Sequence, residues 1–88
     1  MNHHHRKVLH ALFAHPVSAN IAMKDVESVL REVGAELSHS HSGKLVVKLK
    51  GHSANFSNAH HSLPKQEVAQ VRKFLQQCDV VPDRDYPM

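Results

Sequence analysis

Residues 44–57, KLVVKLKGHSANFS, decide the fold, because apolar and polar side chains alternate here more clearly than anywhere else in the chain. Every second side chain of an extended strand points to the same side, so the two leucines and the central valine of residues 44–50 share one side. Lys50-Gly51 suits a two-residue hairpin turn. This turn predicts a register that brings the apolar sides of two strands together, with the pairs Leu49–His52, Val47–Ala54 and Leu45–Phe56.

The residues before and after this hairpin follow helical spacing. Apolar residues recur every three or four positions over about 7–14 and again over 26–33, where Gly34 is expected to end the second helix in the left-handed conformation. The pattern then changes to alternation, which predicts a short strand around residues 37–39. A proline can open a last helix over about 65–77. The predicted order is therefore α-α-β-β-β-α, an α+β fold with a three-stranded antiparallel sheet.

The chain is expected to form a single cytoplasmic domain covering residues 1–88, since 88 residues are enough for one hydrophobic core. The first helix is a predicted N-terminal extension of about residues 6–15, and residues 81–88 are expected to be a loosely held tail. No apolar run approaches the roughly 20 residues of a membrane span. The single cysteine, Cys78, cannot form an internal disulfide, which fits a reducing compartment, and it is expected to be a buried packing thiol.

The charge balance is compatible with a phosphate-rich partner such as RNA. Eleven Lys and Arg against eight Asp and Glu give a net charge of +3, and the ten histidines can add positive charge at lower pH. The side of the hairpin opposite the leucines carries lysines beside serines and an asparagine, so it is predicted to be polar and cationic. No membrane interaction and no small-molecule cofactor are expected.

Several other chemistries are not supported by the residue pattern. The chain has no serine-nucleophile elbow and no phosphate-cradling glycine loop. Histidines at residues 3–5, 39, 41 and 60–61 could offer metal ligands, but structural zinc sites usually combine histidines with cysteines at fixed spacing, so no metal site is predicted. The histidines at residues 3–5 are expected to be a flexible polar extension. The helical carboxylates are expected to lie on solvated faces: Asp25, Glu27, Glu32 and Glu67.

Three stretches resemble the HicA toxin family: REVGAEL entering the first strand, HSGKLVVKLKG in the central hairpin, and HHSLPKQEVAQVRKFL at the last helix. The resemblance covers roughly residues 24–80. It implies a double-stranded-RNA-binding-like fold, in which the helices lie on one face of the sheet and the other face is open. In that family the open side and the hairpin serve RNA, the activity is ribosome-independent mRNA cleavage, and a HicB-like antitoxin protein neutralises it.

The family keeps a histidine where this chain has a lysine. Its Gly-Ser-His motif corresponds here to Ser42-Gly43-Lys44, and its segment before the last helix corresponds loosely to residues 59–62. Metal-independent RNA cleavage needs a base, an acid and a cation, and histidine suits the first two roles, whereas Lys44 as a base would need its pKa lowered by about three units. The candidate catalytic residues are therefore His41, Lys44, His60 and His61. The candidate RNA-binding residues are Lys44, Lys48, Lys50 and Lys65.

Two functions remain open at this point. The first is a HicA-like toxin of a type II toxin–antitoxin pair, which binds and cleaves mRNA through a basic sheet face. The second is a non-catalytic RNA-binding or antitoxin-binding module that keeps the fold and has lost the nuclease histidine. The lysine at position 44 favours the second function, and the family resemblance favours the first.

Overall fold

The computed structural model describes residues 1–14, 16, 21–40, 43–57 and 62–87, and it confirms the predicted α+β class. The elements follow the chain as α1 (His3–Leu12), β1 (Ile21–Ala22), α2 (Met23–Glu32), β2 (Glu36–His39), β3 (Lys44–Leu49), β4 (His52–Ser57), β5 (Ser62–Leu63), α3 (Lys65–Gln77) and α4 (Pro82–Asp85). The predicted order did not include α4 or the short antiparallel pair formed by β1 and β5. Within the described residues, no helix combines the length and the apolar character needed to cross a bilayer.

Three strands form an antiparallel sheet in the order β2-β3-β4. The β3–β4 register is the predicted one, with the pairs Leu49–His52, Val47–Ala54 and Leu45–Phe56. Both residues of the connecting turn have left-handed backbone, with φ of 50° at Lys50 and 81° at Gly51. A mirror-image turn of this kind matches the right-handed twist of paired strands, so the turn and the apolar pattern specify the same register.

The core lies between one face of this sheet and the helices. Leu45 and Val47 of β3 are fully buried, and Leu49 and Phe56 are nearly so. The ring of Phe56 meets that of Phe74 on α3 edge to face, with centroids 6.1 Å apart. The apolar faces predicted for the two main helices are also buried: Val26, Val29 and Leu30 on α2, and Val68, Val71 and Leu75 on α3. The opposite face of the sheet is therefore left for other contacts.

The helices α2 and α3 end in the same hydrogen-bonded motif. After α2, Gly34 adopts a φ of 102°, as predicted, and the N–H groups of Gly34 and Ala35 each donate to a carbonyl of the last turn at 3.0 Å. The range predicted for α3, Lys65–Gln77, is confirmed. Asp79 takes the left-handed position after α3, with a φ of 61°. These caps set the directions in which the chain enters β2 and approaches α4.

Cys78 is the packing thiol that its sequence position predicted. Its side chain is 1% exposed, and its Sγ lies 3.4 Å from the carbonyl oxygen of Leu49 on β3. Burial raises the thiol pKa, and the Lys50 ammonium lowers it by a smaller amount. The thiol therefore stays protonated at neutral pH and supports the contact between α3 and the hairpin.

The helix α1 begins about one turn earlier than predicted. The Asn2 side chain caps it by accepting a hydrogen bond from the His5 N–H at 2.7 Å. In its first turn, His4 Nε2 lies 3.2 Å from Asp25 Oδ2, and His5 Nδ1 lies 2.5 Å from Glu32 Oε2. The prediction of a flexible histidine extension is therefore wrong. The two carboxylates of α2 are paired with histidines and not simply solvated.

The segment predicted to be a loosely held tail contains α4, in which Pro82 is buried. Asp85 Oδ2 accepts a hydrogen bond from the Val81 N–H at 3.0 Å, and Arg84 Nη2 donates to the carbonyl of Asp79 at 2.7 Å. The hydrogen bond from Arg84 is the largest cause that lowers the pKa of Asp85, to about 2. These contacts tie α4 back to the end of α3.

Candidate nucleic-acid interface

The exposed face of the three-stranded sheet carries two of the predicted cationic residues. Lys44 and Lys48 of β3 are exposed there, and Val46 between them is half-buried. Their Cα atoms are separated by roughly 13 Å, because a strand rises about 3.3 Å per residue. The neighbouring strands add exposed polar side chains to this face: Glu36 and Ser38 from β2, and Ser53 and Asn55 from β4. These seven residues form the open face.

The positive charge of the open face is modest. Glu36 stands directly opposite Lys48 in the β2–β3 register, so the excess positive charge lies toward Lys44. Among the described residues, neither lysine forms an ion pair. Both ammonium groups are therefore available to an anionic partner. Attraction that depends on so few charges should be weak and sensitive to salt.

A shallow depression of about 430 Å³ lies at the turn end of the sheet. Lys48 and Lys50 line it, together with Glu36, His52 and Ser53. Two lysines and one histidine, at or beside the turn, therefore line the same depression. Among the described residues that line the depression, Glu36 is the one carboxylate. Because Glu36 also belongs to the open face, the depression continues that face toward the turn.

Lys50 and Lys65 occupy different surroundings from the lysines of β3. The Lys50 ammonium helps to lower the pKa of Asp85 on α4, after the larger effect of the Arg84 hydrogen bond. The charge of Lys50 is therefore shared between the depression and α4. Lys65 begins α3, separated from the end of β5 by one residue, outside the three-stranded sheet. The structure thus groups the predicted lysines 44, 48 and, in part, 50, but it does not place the fourth with them.

Lys44 is the predicted catalytic residue that falls within the described part of the chain. The Ser40 N–H donates to the Lys44 carbonyl at 2.9 Å, and the Lys44 N–H donates to Ser40 Oγ at 3.3 Å. These bonds hold the backbone at the start of β3, and the lysine side chain is exposed. The other predicted catalytic residues, His41, His60 and His61, lie outside the described residues.

Other histidines are engaged with carboxylates on the helical side of the sheet. His39 Nε2 lies 2.9 Å from Glu27 Oε1, so this residue of β2 faces α2 and not the open face. Glu27 is thereby a third carboxylate of α2 that meets a histidine. In the part of the chain that the structure describes, no group of three His, Cys, Asp or Glu side chains could hold a metal ion.

His52 was not among the predicted site residues, although it borders the depression. It is exposed and follows the Lys50-Gly51 turn directly. A histidine immediately after a cationic turn is a sequence signal for this position. A two-residue turn brings the residue that follows it close to the preceding strand, which carries Lys48. Histidine suits the acid and base roles of RNA cleavage, so the depression contains one group of the required type.

No family model matches this chain, and neither a curated protein nor a solved structure matches it. A function for the chain is therefore inferred from the open face, the depression and the sequence motifs.

Proposed function

We propose that the chain is a HicA-like toxin of a type II toxin–antitoxin pair, which binds mRNA on the open face and cleaves it. The observation that carries this proposal is the pair of exposed lysines, Lys44 and Lys48, on a sheet whose other side packs against the helices. Three antiparallel strands with helices on one face are also the arrangement that the resemblance to the HicA family implies. A HicB-like antitoxin protein is the proposed partner.

RNA would contact the open face mainly through its sugar–phosphate backbone. Lys44 and Lys48 can each neutralise one phosphate and release condensed counterions. The neighbouring Ser53 and Asn55 can donate hydrogen bonds to phosphate oxygens or to 2′-hydroxyl groups. The described residues of the open face include no aromatic side chain on which bases could stack. We therefore expect little sequence preference in binding, because base stacking and base-edge contacts would contribute little.

Cleavage would require a base to remove the 2′-hydroxyl proton and an acid to protonate the leaving 5′-oxygen. We assign the base to His41, which lies close in sequence to the position of the family histidine, and the acid to His60 or His61. Lys44 would stabilise the negative charge that develops at the scissile phosphate, a role in which its ammonium group acts as a fixed cation.

One residue favours a second function. Lys44 stands where the HicA family keeps its nuclease histidine, so the same surface could bind RNA or an antitoxin without cleaving RNA. The two functions predict the same binding surface and differ only in chemistry. A test of cleavage therefore separates them.

The separating experiment is expression of the chain without an antitoxin, scored for growth arrest and for loss of mRNA. The toxin function predicts arrest by the wild type, loss of arrest in His41→Ala, and unchanged arrest in Lys24→Ala, which removes an exposed charge from α2. Loss of arrest in Lys44→Ala, with His41→Ala still active, would assign the chemistry to the lysine. The absence of arrest in every strain would refute the toxin function and leave the binding module.

A further inference from the structure

A cleft of about 410 Å³ lies between α1, α3 and the segment that leads into α4. Apolar side chains of Phe13, Val80 and Val81 line it together with the basic side chains of His10 and Arg72. Its volume is within the range of small-molecule sites, roughly 300–1,000 Å³. The cleft is formed by elements on the helical side of the sheet, so it is separate from the open face.

Arg72 is the strongly basic side chain of this cleft. Its Nη1 atom is buried, and it has no hydrogen-bond partner within the described residues. Nor does its guanidinium form an ion pair with any carboxylate of those residues. A guanidinium N–H that has lost water without gaining an acceptor is unfavourable. A guanidinium without an ion pair can bind an anionic group through those of its N–H groups that line the cleft.

The apolar lining of the cleft is partly open to solvent. Among the large apolar side chains of the described residues, Val81 is the most exposed, at 40%. The adjacent Val80 is only 5% exposed. Phe13 is half-buried and packs against the edge of the core. A ligand with a hydrocarbon body could cover Val81 and Phe13 and remove their apolar surface from water.

Asp83, which lies near His10, limits the negative charge that a ligand of the cleft can carry. His10 Nε2 lies 2.8 Å from the carbonyl oxygen of Tyr86, which can only accept, so this nitrogen carries a proton. The Nδ1 atom of the same ring lies 3.7 Å from Asp83 Oδ1, and the Asp83 side chain is 96% exposed. Asp83 would repel an anion. A ligand with one negative charge meets less of this repulsion than a ligand with two.

We propose that this cleft binds a small organic monocarboxylate with an apolar body. The carboxylate would accept hydrogen bonds from Arg72, because the planar guanidinium matches the planar carboxylate, and the body would rest against Val81 and Phe13. The site does not depend on the RNA function, because it shares no residue with the open face or with the depression.

Titration of the ¹⁵N-labelled full chain with phenylacetate tests the site. Saturable shifts at the Val80 and Val81 amides are expected. Two matched compounds each remove one feature of the ligand: 2-phenylethanol lacks the charge and acetate lacks the ring, and each should bind about tenfold more weakly. Equal affinity for 2-phenylethanol would overturn the role of Arg72, and equal affinity for acetate would overturn the role of the apolar lining.

Variants separate the site from non-specific binding. Arg72→Gln should weaken phenylacetate binding by about tenfold or more, and Asp83→Asn should strengthen it by roughly twofold to fivefold, because it removes an exposed like charge. The amide spectrum of each variant reports whether it is folded. Because Asp83 is exposed, Asp83→Asn should fold, and it still tests the site if Arg72→Gln unfolds. The proposal fails if phenylacetate shows no saturation up to roughly 10 mM, or if Asp83→Asn leaves its affinity unchanged.

Discussion

Replacement of Lys50 by asparagine should stabilise the protein, because Lys50 holds a backbone conformation that lysine disfavours. Its φ of 50° lies in the left-handed region, which costs a residue with a Cβ about 1 kcal/mol or more. Asparagine tolerates this region, and Asn-Gly is the preferred pair for a two-residue turn of this hand. The attraction lost between Lys50 and Asp85 is small because both groups are exposed and screened by salt. We expect the free energy of unfolding to rise by about 0.5–1 kcal/mol.

Thermal and urea unfolding measure this change, which should raise Tm by about 2–8 °C in a chain of this size. The matched control is Gly51→Ala at the next turn position, where φ is 81° and no described atom outside the two neighbouring residues lies within 4 Å of the added Cβ. Because only backbone strain acts there, Gly51→Ala should lower the free energy of unfolding by about 1 kcal/mol. If Lys50→Asn were neutral or destabilising while Gly51→Ala had no effect, the left-handed turn would be incorrect.

Two further predictions concern titrating groups. The pKa of Asp85 is lowered from 3.8 to about 2, so the stabilisation it provides is complete above about pH 5 and is lost as the pH falls toward 2. In urea unfolding, the stability difference between the wild type and Asp85→Asn should shrink over that range, and a constant difference would contradict the assigned pKa. The buried Cys78 thiol, whose pKa is raised, should react with a disulfide reagent far more slowly in the folded protein than in urea. Similar rates in both conditions would show that the thiol is accessible.

The hairpin and the last helix could be predicted because several local signals agree there. In residues 44–57 the apolar alternation and the turn chemistry specify one register, since a slip by one residue would expose the leucines. In α3, a preceding proline and regular apolar spacing mark the start and the buried face. Where local and tertiary preferences coincide, sequence patterns are sufficient.

The start of α1, the β1–β5 pair and α4 depend on contacts that the sequence patterns do not display. The first turn of α1 is entirely polar, so apolar spacing cannot locate it, and its support comes from histidine–carboxylate pairs such as His5–Glu32 with a residue far along the chain. Strands of two residues are too short to show alternation. In α4 the helix is held by side-chain bonds of Arg84 and Asp85, in a segment whose prolines indicated a tail.

Part of the candidate site could also be predicted, because alternation along a strand specifies which side chains share a face. The face that carries Lys44 and Lys48 follows directly from the alternation of β3. The position of Lys50 does not, because the left-handed turn ends the alternation and brings its charge near Asp85. The sequence pattern does not identify His52, because its pairing with Leu49 places it on the apolar side of the hairpin. In the structure, the end of the hairpin leaves His52 exposed beside the depression.

The most direct test of RNA binding by the open face is a salt titration of affinity for a labelled single-stranded RNA, measured by fluorescence anisotropy. The double variant Lys44→Ala/Lys48→Ala should bind more weakly, and the slope of log affinity against log salt should fall in magnitude by about 1.4, since each single-strand phosphate contact contributes roughly 0.7. The matched control, Lys7→Ala/Lys24→Ala, removes two exposed charges from α1 and α2 and should leave the slope nearly unchanged. An equal loss in both double variants, or affinity that does not depend on salt, would contradict RNA binding through the open face.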